Sequence, residues 1–117
     1  MATRKKQSRE RSAAATEALE RLRALMRALD HVENTVTFGN PTFKVKKRAF
    51  AVIDRYKGVD CLWLRIDPME RAGLLKQDGW FPSPYDPHKQ ALCVALPAID
   101  WRKIRTLLRM SYWLAKN

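Results

Sequence analysis

Four cations fall within five residues, at Lys44, Lys46, Lys47 and Arg48. Ammonium groups so placed act as point charges that settle on phosphate oxygens and displace counterions; they make and break no bonds. The same lysines would equally blunt an exposed sheet edge against aggregation. A second set, Arg102, Arg105 and Arg109, recurs at spacings of three and four, which aligns it along one flank of a helix. Guanidinium forks suit phosphate oxygens, and a row of them is also an ordinary solvated helix face. Trp113 falls close to that row, where it would stack on a base or pack back against the N-terminal part of the chain. Trp63 and Arg65 sit two apart, on one side of a strand, in a loose likeness to the stacking surface of an open sheet.

Little in the sequence suggests bond chemistry. The two histidines are His31, at a helix end, and His88, in a proline-rich loop with Tyr85 and Asp86. That loop is the one polar cluster with chemical potential, and no nucleophile or metal-ligand spacing surrounds it. No phosphate-cradling glycine motif is present. Asp54, Asp60, Asp67 and Asp86 stand singly, whereas a hard cation wants several oxygen ligands together. Cys61 and Cys93 belong to no C-x-x-C pair and read as reduced thiols in the sheet. The expectation is a non-enzymatic protein with no metal and no cofactor.

The charge balance directs attention to polyanions. Twenty-three Lys and Arg stand against twelve Asp and Glu, for a net charge of +11. Residues 1–11 hold Arg4, Lys5, Lys6, Arg9 and Arg11 against Glu10, a net of +4, which leaves +7 for the remainder. Such a field attracts nucleic acid, anionic lipid or an acidic protein. At 117 residues the chain fits one domain able to bury its own core. No apolar run reaches the ~20 residues of a membrane span, and no apolar segment follows the basic start as in a secretory signal. An organellar transit peptide is the alternative for that start, against which Glu10, Glu17 and Glu20 count.

The elements that would position these groups are legible from period and punctuation. Residues 1–12 read as a disordered basic tail and residues 13–117 as one domain. Leu19, Leu22, Leu25, Met26 and Leu29 form the apolar stripe of a helix that starts at Thr16 or earlier, within Ala13–Ala15, and ends near Asp30–His31. Arg21, Arg23 and Arg27 lie off the stripe. Short strands follow at Thr35–Thr37 and Thr42–Val45, with a turn at Gly39-Asn40-Pro41 between them. Longer strands run from Arg48 to about Tyr56 and from Cys61 to Ile66. Asp67 and Pro68 open a short helix. Leu92, Val94 and Leu96 alternate in a core strand, and Asp100 caps the last helix, which buries Trp101, Ile104, Leu107, Leu108, Ser111 and Ala115. The order predicts an α+β fold: a mostly antiparallel sheet with both terminal helices on one face and a short helix inserted between strands. Its other face would show Thr42, Lys44, Trp63 and Arg65.

The run Phe38-Gly39-Asn40-Pro41-Thr42-Phe43-Lys44-Val45 with Phe50-Ala51 resembles the first block of the MmcQ/YjbR family. Trp63-Leu64-Arg65-Ile66 with Pro68, Glu70 and Leu74-Leu75 is similar to the next. Phe81-Pro82-Ser83-Pro84-Tyr85-Asp86 and the ending Asp100-Trp101, Ile104, Leu107-Leu108 and Ser111-Tyr112 complete the resemblance, which runs from about residue 20 to about residue 115. It implies a CyaY-like (frataxin-like) fold, a bacterial and cytoplasmic protein, and a proposed DNA-binding role through paired β-wings. The chain departs from the pattern at Lys46-Lys47, where relatives have Gly-Gly, and at Gln90-Ala91, where they have a Trp. Lysine takes left-handed backbone poorly, so the first hairpin would be strained or its turn widened.

The expected partner is therefore nucleic acid, DNA above RNA. It would be bound weakly and with strong salt dependence through Lys44, Lys46, Lys47, Arg48, Arg102, Arg105 and Arg109. Trp63 and Trp113 are the stacking candidates. The protein would be a monomer or weak dimer with no membrane contact. The alternative is a regulatory adaptor that binds another protein through the Trp63 face and the Pro82–Pro87 loop.

Overall fold

The computed structural model describes residues 11–84 and 86–117. Nearly all of the predicted basic tail, residues 1–10, lies outside the described residues, as does Tyr85. Helix α1 (Ala13–Met26) begins not at Thr16 but one turn earlier, where the Ser12 hydroxyl accepts the Ala15 N–H at 3.0 Å. It stops at Met26 rather than near Asp30; single turns carry the chain to His31, whose φ is +59°. Strands β1 (Glu33–Thr37), β2 (Asn40–Val45), β3 (Arg48–Tyr56) and β4 (Val59–Arg65) form an antiparallel meander. Helix α2 (Pro68–Leu75), capped by Asp67, leads to β5 (Trp80–Pro82) at the far edge. Strand β6 (Ala91–Ala95) inserts between β4 and β5, giving the order β1-β2-β3-β4-β6-β5. Helix α3 (Trp101–Lys116) closes the fold, with the Asp100 carboxylate accepting the Arg102 N–H at 3.0 Å.

Three two-residue turns link the meander: Phe38-Gly39, Lys46-Lys47 and Lys57-Gly58. All six residues have positive φ, between +51° and +84°. The first turn is therefore Phe38-Gly39, and Asn40 and Pro41 already belong to β2. The second does not widen to relieve its lysines: Val45 pairs with Arg48, and Lys46 and Lys47 sit at φ +51° and +66°. Pairing on both sides holds the turn to two residues, and the right-handed twist of the strands favours this left-handed geometry.

Both terminal helices lie on one face of the sheet. Leu19, Leu22, Phe43, Ile53, Leu62, Leu64, Leu92, Ile104 and Leu108 are buried between the layers. The helices start at the same end. Arg21, past the middle of α1, lies 5.2 Å from the Trp101 ring at the start of α3, and the Tyr112 hydroxyl near the end of α3 donates to the Asp30 carbonyl, beyond the end of α1, at 2.7 Å. A bulge interrupts the β2–β3 ladder. Phe43 pairs with Ala51 and Lys44 with Ala49, so Phe50 is the extra residue. It buries its ring edge-on against Tyr112, 5.4 Å between centroids.

The opposite face is not the open surface expected. Thr42, Cys61 and Cys93 are buried there, and Trp63 and Arg65 are half-buried. Aromatic rings lie flat on this face: Tyr56 and Phe81 stack at 6.5 Å, and Arg65 covers Trp63 at 5.8 Å. The Cys93 thiol and burial together push Cys61 far above the usual thiol range. Both cysteines are free.

Candidate functional site

The antiparallel register assigns the predicted cations to places. Lys46 and Lys47 form a hairpin tip at the end of the sheet where α3 terminates, and both are exposed. Lys44, half-buried, lies opposite Glu33 on the neighbouring strand. Arg48 leaves the tip and donates to the Ala115 carbonyl at 3.4 Å, which fixes the tip against the last turn of α3. The helix dipole places partial negative charge there, which favours cations. Ser111 ties the same region together from within. Its buried hydroxyl donates to the Phe50 carbonyl at 2.6 Å and accepts the Arg65 N–H at 2.9 Å. The carbonyl that the bulge frees from the ladder thus finds a partner in the helix.

The arginine row starts at the other end. Arg102 stands on the first turn of α3, and Arg105 and Arg109 follow beside Leu25 of α1 and Leu29 just beyond it, all three exposed. At 1.5 Å per residue, Arg102 and Arg109 stand about 10 Å apart along the axis. Trp113 continues the row four residues further on and is 52% exposed. Its ring meets Tyr112 edge-on at 5.7 Å and carries the Lys116 ammonium 4.9 Å from its centre. The row thus lies on α3, Trp113 follows it, and the last turn of the same helix meets the hairpin through Arg48. Each tryptophan carries a cation over its ring, and Trp63, half-buried, offers less ring surface than Trp113.

Among the described residues, two ion pairs form: Arg21 with Glu17, exposed on α1, and Arg55 with Asp60 at 2.8 Å. Asp60 also accepts from the Ser12 hydroxyl. The Arg55 hydrogen bond holds the Asp60 carboxyl below the usual carboxylate range, and Arg55 is raised in turn. None of Lys44, Lys46, Lys47, Arg48, Arg102, Arg105 or Arg109 joins an ion pair.

Arg65 and a cleft beside it were not among the site residues expected from sequence. Arg65 Nε donates to the Ala49 carbonyl at 2.7 Å. Burial, then the nearby Arg48 charge, lowers its pKa, against a partial offset from Asp86. Arg48, Arg65, His88, Lys89 and Gln90 line an open cleft of about 590 Å³ there. The side chains come from β3, β4 and the loop before β6, and such a gathering leaves no local pattern. The one sequence signal was Arg65 sharing a strand face with Trp63. Asp86 is occupied structurally, accepting the Ala91 N–H at 2.6 Å. Among the described residues no three His, Cys, Asp or Glu side chains gather as metal ligands, and no helix is long and apolar enough to cross a membrane.

The YjbR family model matches residues 27–114. The crystal structure of a Deinococcus radiodurans protein with the DUF419 domain is similar, at TM-score 0.68 and 29% identity over 82% of this chain and 76% of that one. A Pseudomonas syringae protein shares the fold at TM-score 0.62 and 17% identity, over 77% of this chain and 91% of that one. No curated protein matches.

Proposed function

We propose that this chain, which belongs to the YjbR family, is a non-enzymatic, cytoplasmic DNA-binding protein that grips the phosphate backbone. One observation carries the reading. The cations of the hairpin tip and of the α3 row join no ion pair among the described residues, while the two pairs that form lie elsewhere. Solvated cations in a strip about a helix long can neutralise several phosphates without reading bases. Trp113 at the lower end of the strip adds a stacking surface for an unpaired base.

The test is a titration of a duplex at several salt concentrations. The log–log slope should be about −0.9 for each phosphate contacted, and a K46A/K47A/R48A variant should flatten it by up to about three contacts. Absence of binding to duplex and to single strand at low salt overturns the reading.

A second reading, a protein-binding adaptor, draws on the edge hairpin. Phe38 is 93% exposed at its tip and Val36 is 60% exposed on β1, which has a free edge. Under it, Phe38→Ser abolishes binding of a protein partner and leaves the salt slope on DNA unchanged.

A further inference from the structure

The cleft beside α3 differs in kind from the tip and the row. Lys46, Lys47 and the row are exposed, whereas two of the cleft's three cations, Arg48 and Arg65, are tethered to backbone carbonyls. Arg65 is pinned through Nε to a backbone carbonyl and lies over the Trp63 ring. Its terminal nitrogens have no acceptor among the described residues. Arg48 is tethered to Ala115, and Lys89 stands on the facing loop. Among the described residues no Asp or Glu side chain pairs with any of the three. The Asp86 charge reaches Arg65 only from beyond ion-pairing distance. The half-buried Arg65 guanidinium, with the Arg48 charge close enough to disfavour its own, is in an arrangement that an intervening anion relieves.

The shape of the site narrows the anion. Two oriented guanidinium forks and an ammonium suit a tetrahedral group with several acceptor oxygens and close to two negative charges, as a phosphate monoester has at neutral pH. At about 590 Å³ the cleft exceeds a bare phosphate. The Gln90 amide can donate to and accept from an attached organic part, and Leu114, 39% exposed, offers it an apolar wall. We propose that this cleft binds a terminal phosphate monoester, as carried by a mononucleotide or by the 5′ end of a nucleic-acid strand. The site goes beyond the proposed function, because the tip and the row can hold phosphodiesters without it.

The experiment uses the full chain in phosphate-free buffer, with calorimetry and amide NMR shifts as readouts. Adenosine 5′-monophosphate should bind and move the His88, Lys89 and Gln90 amides, and adenosine should not. Arg65→Gln should weaken the nucleotide about tenfold, and Lys89→Gln, at an exposed position, about threefold. Lys46→Ala with Lys47→Ala should leave nucleotide affinity unchanged. A 5′-phosphorylated hexanucleotide is then compared with its 5′-hydroxyl counterpart. Preference for the phosphorylated strand assigns the site to strand ends; binding of the mononucleotide without that preference assigns it to free nucleotides. Equal shifts from the nucleotide and adenosine, or affinity unchanged in Lys89→Gln, overturns the inference. Duplex binding that persists when the nucleotide fails would leave the backbone-gripping function standing, so the two fall separately.

Discussion

The two ends of the sheet use the same residue types in opposite ways. At the end where the helices begin, Arg55 is matched by Asp60, and Asp60 is further bonded by the hydroxyl that caps α1. Charge there is spent on closing the fold. At the end where the helices finish, Lys46, Lys47, Arg48 and Arg65 meet backbone carbonyls, a ring or water, and no carboxylate pairs with them. The turns repeat the contrast. Lys57-Gly58 and Phe38-Gly39 each place a glycine at the second left-handed position, whereas Lys46-Lys47 places lysine at both. A non-glycine residue in that conformation costs about 1–2 kcal/mol. Unpaired charge and the extra strained residue fall at the same end, as the proposed function asks of a surface that meets a partner.

The most forceful way to break this comparison is to unfasten the lower end. Ser111→Val leaves the Phe50 carbonyl and the Arg65 N–H without their buried partner and should destabilise the protein by about 2–4 kcal/mol in urea melts. A smaller effect comes from exchanging the turns. Lys47→Gly should stabilise by about 1 kcal/mol, and Gly58→Lys, at φ +80°, should destabilise by a similar amount. The first should also weaken DNA binding; if it stabilises and leaves the salt slope intact, the strained lysine serves no partner.

The ends should also part in acid. Asp60 has a lowered pKa in the fold, so its contribution is present above the ordinary carboxylate range and is lost as pH falls through the native value. Asp60→Asn should therefore flatten the fall of stability below about pH 4, while Arg48→Gln should leave that limb unchanged. The smallest effect on stability is expected from Arg102→Ala, Arg105→Ala and Arg109→Ala together. Melts should move by no more than about 0.5 kcal/mol per site, with the change appearing in the salt slope on DNA.

Much of the fold was legible from local rules, though they misplaced the first turn and the end of α1. Alternation in Leu62-Trp63-Leu64 and Leu92-Cys93-Val94, the Asp67-Pro68 start and the Asp100 cap all lie where period and capping place them. Rules of short range failed where distant groups decide. The bulge at Phe50 has no turn residue to announce it, and it depends on a serine 61 residues away that takes its carbonyl. Thr42 looked solvent-facing by alternation, yet it is buried between β1 and β3, its hydroxyl donating to the Asn40 carbonyl. Cations were found by counting, but counting could not tell which ones pair. Arg55 and Asp60 flank a turn and meet across it. Arg65 and Lys89 face one cleft only because β6 is laid against β4.

That insertion of β6 also orders the assembly of the molecule in time. The four meander strands need only two-residue loops, so hairpins can close one after another on the microsecond scale. Strand β6 pairs with β4 across about thirty residues, with a larger loop entropy to overcome, and the edge strand β5 can join the sheet only through β6. The turn that joins β2 to β3 lies inside the early, local part. If that hairpin is formed in the folding transition state, relief of its strain would appear as faster folding, with the unfolding rate little changed. The tip left free for a partner would then also set how quickly the sheet can be made.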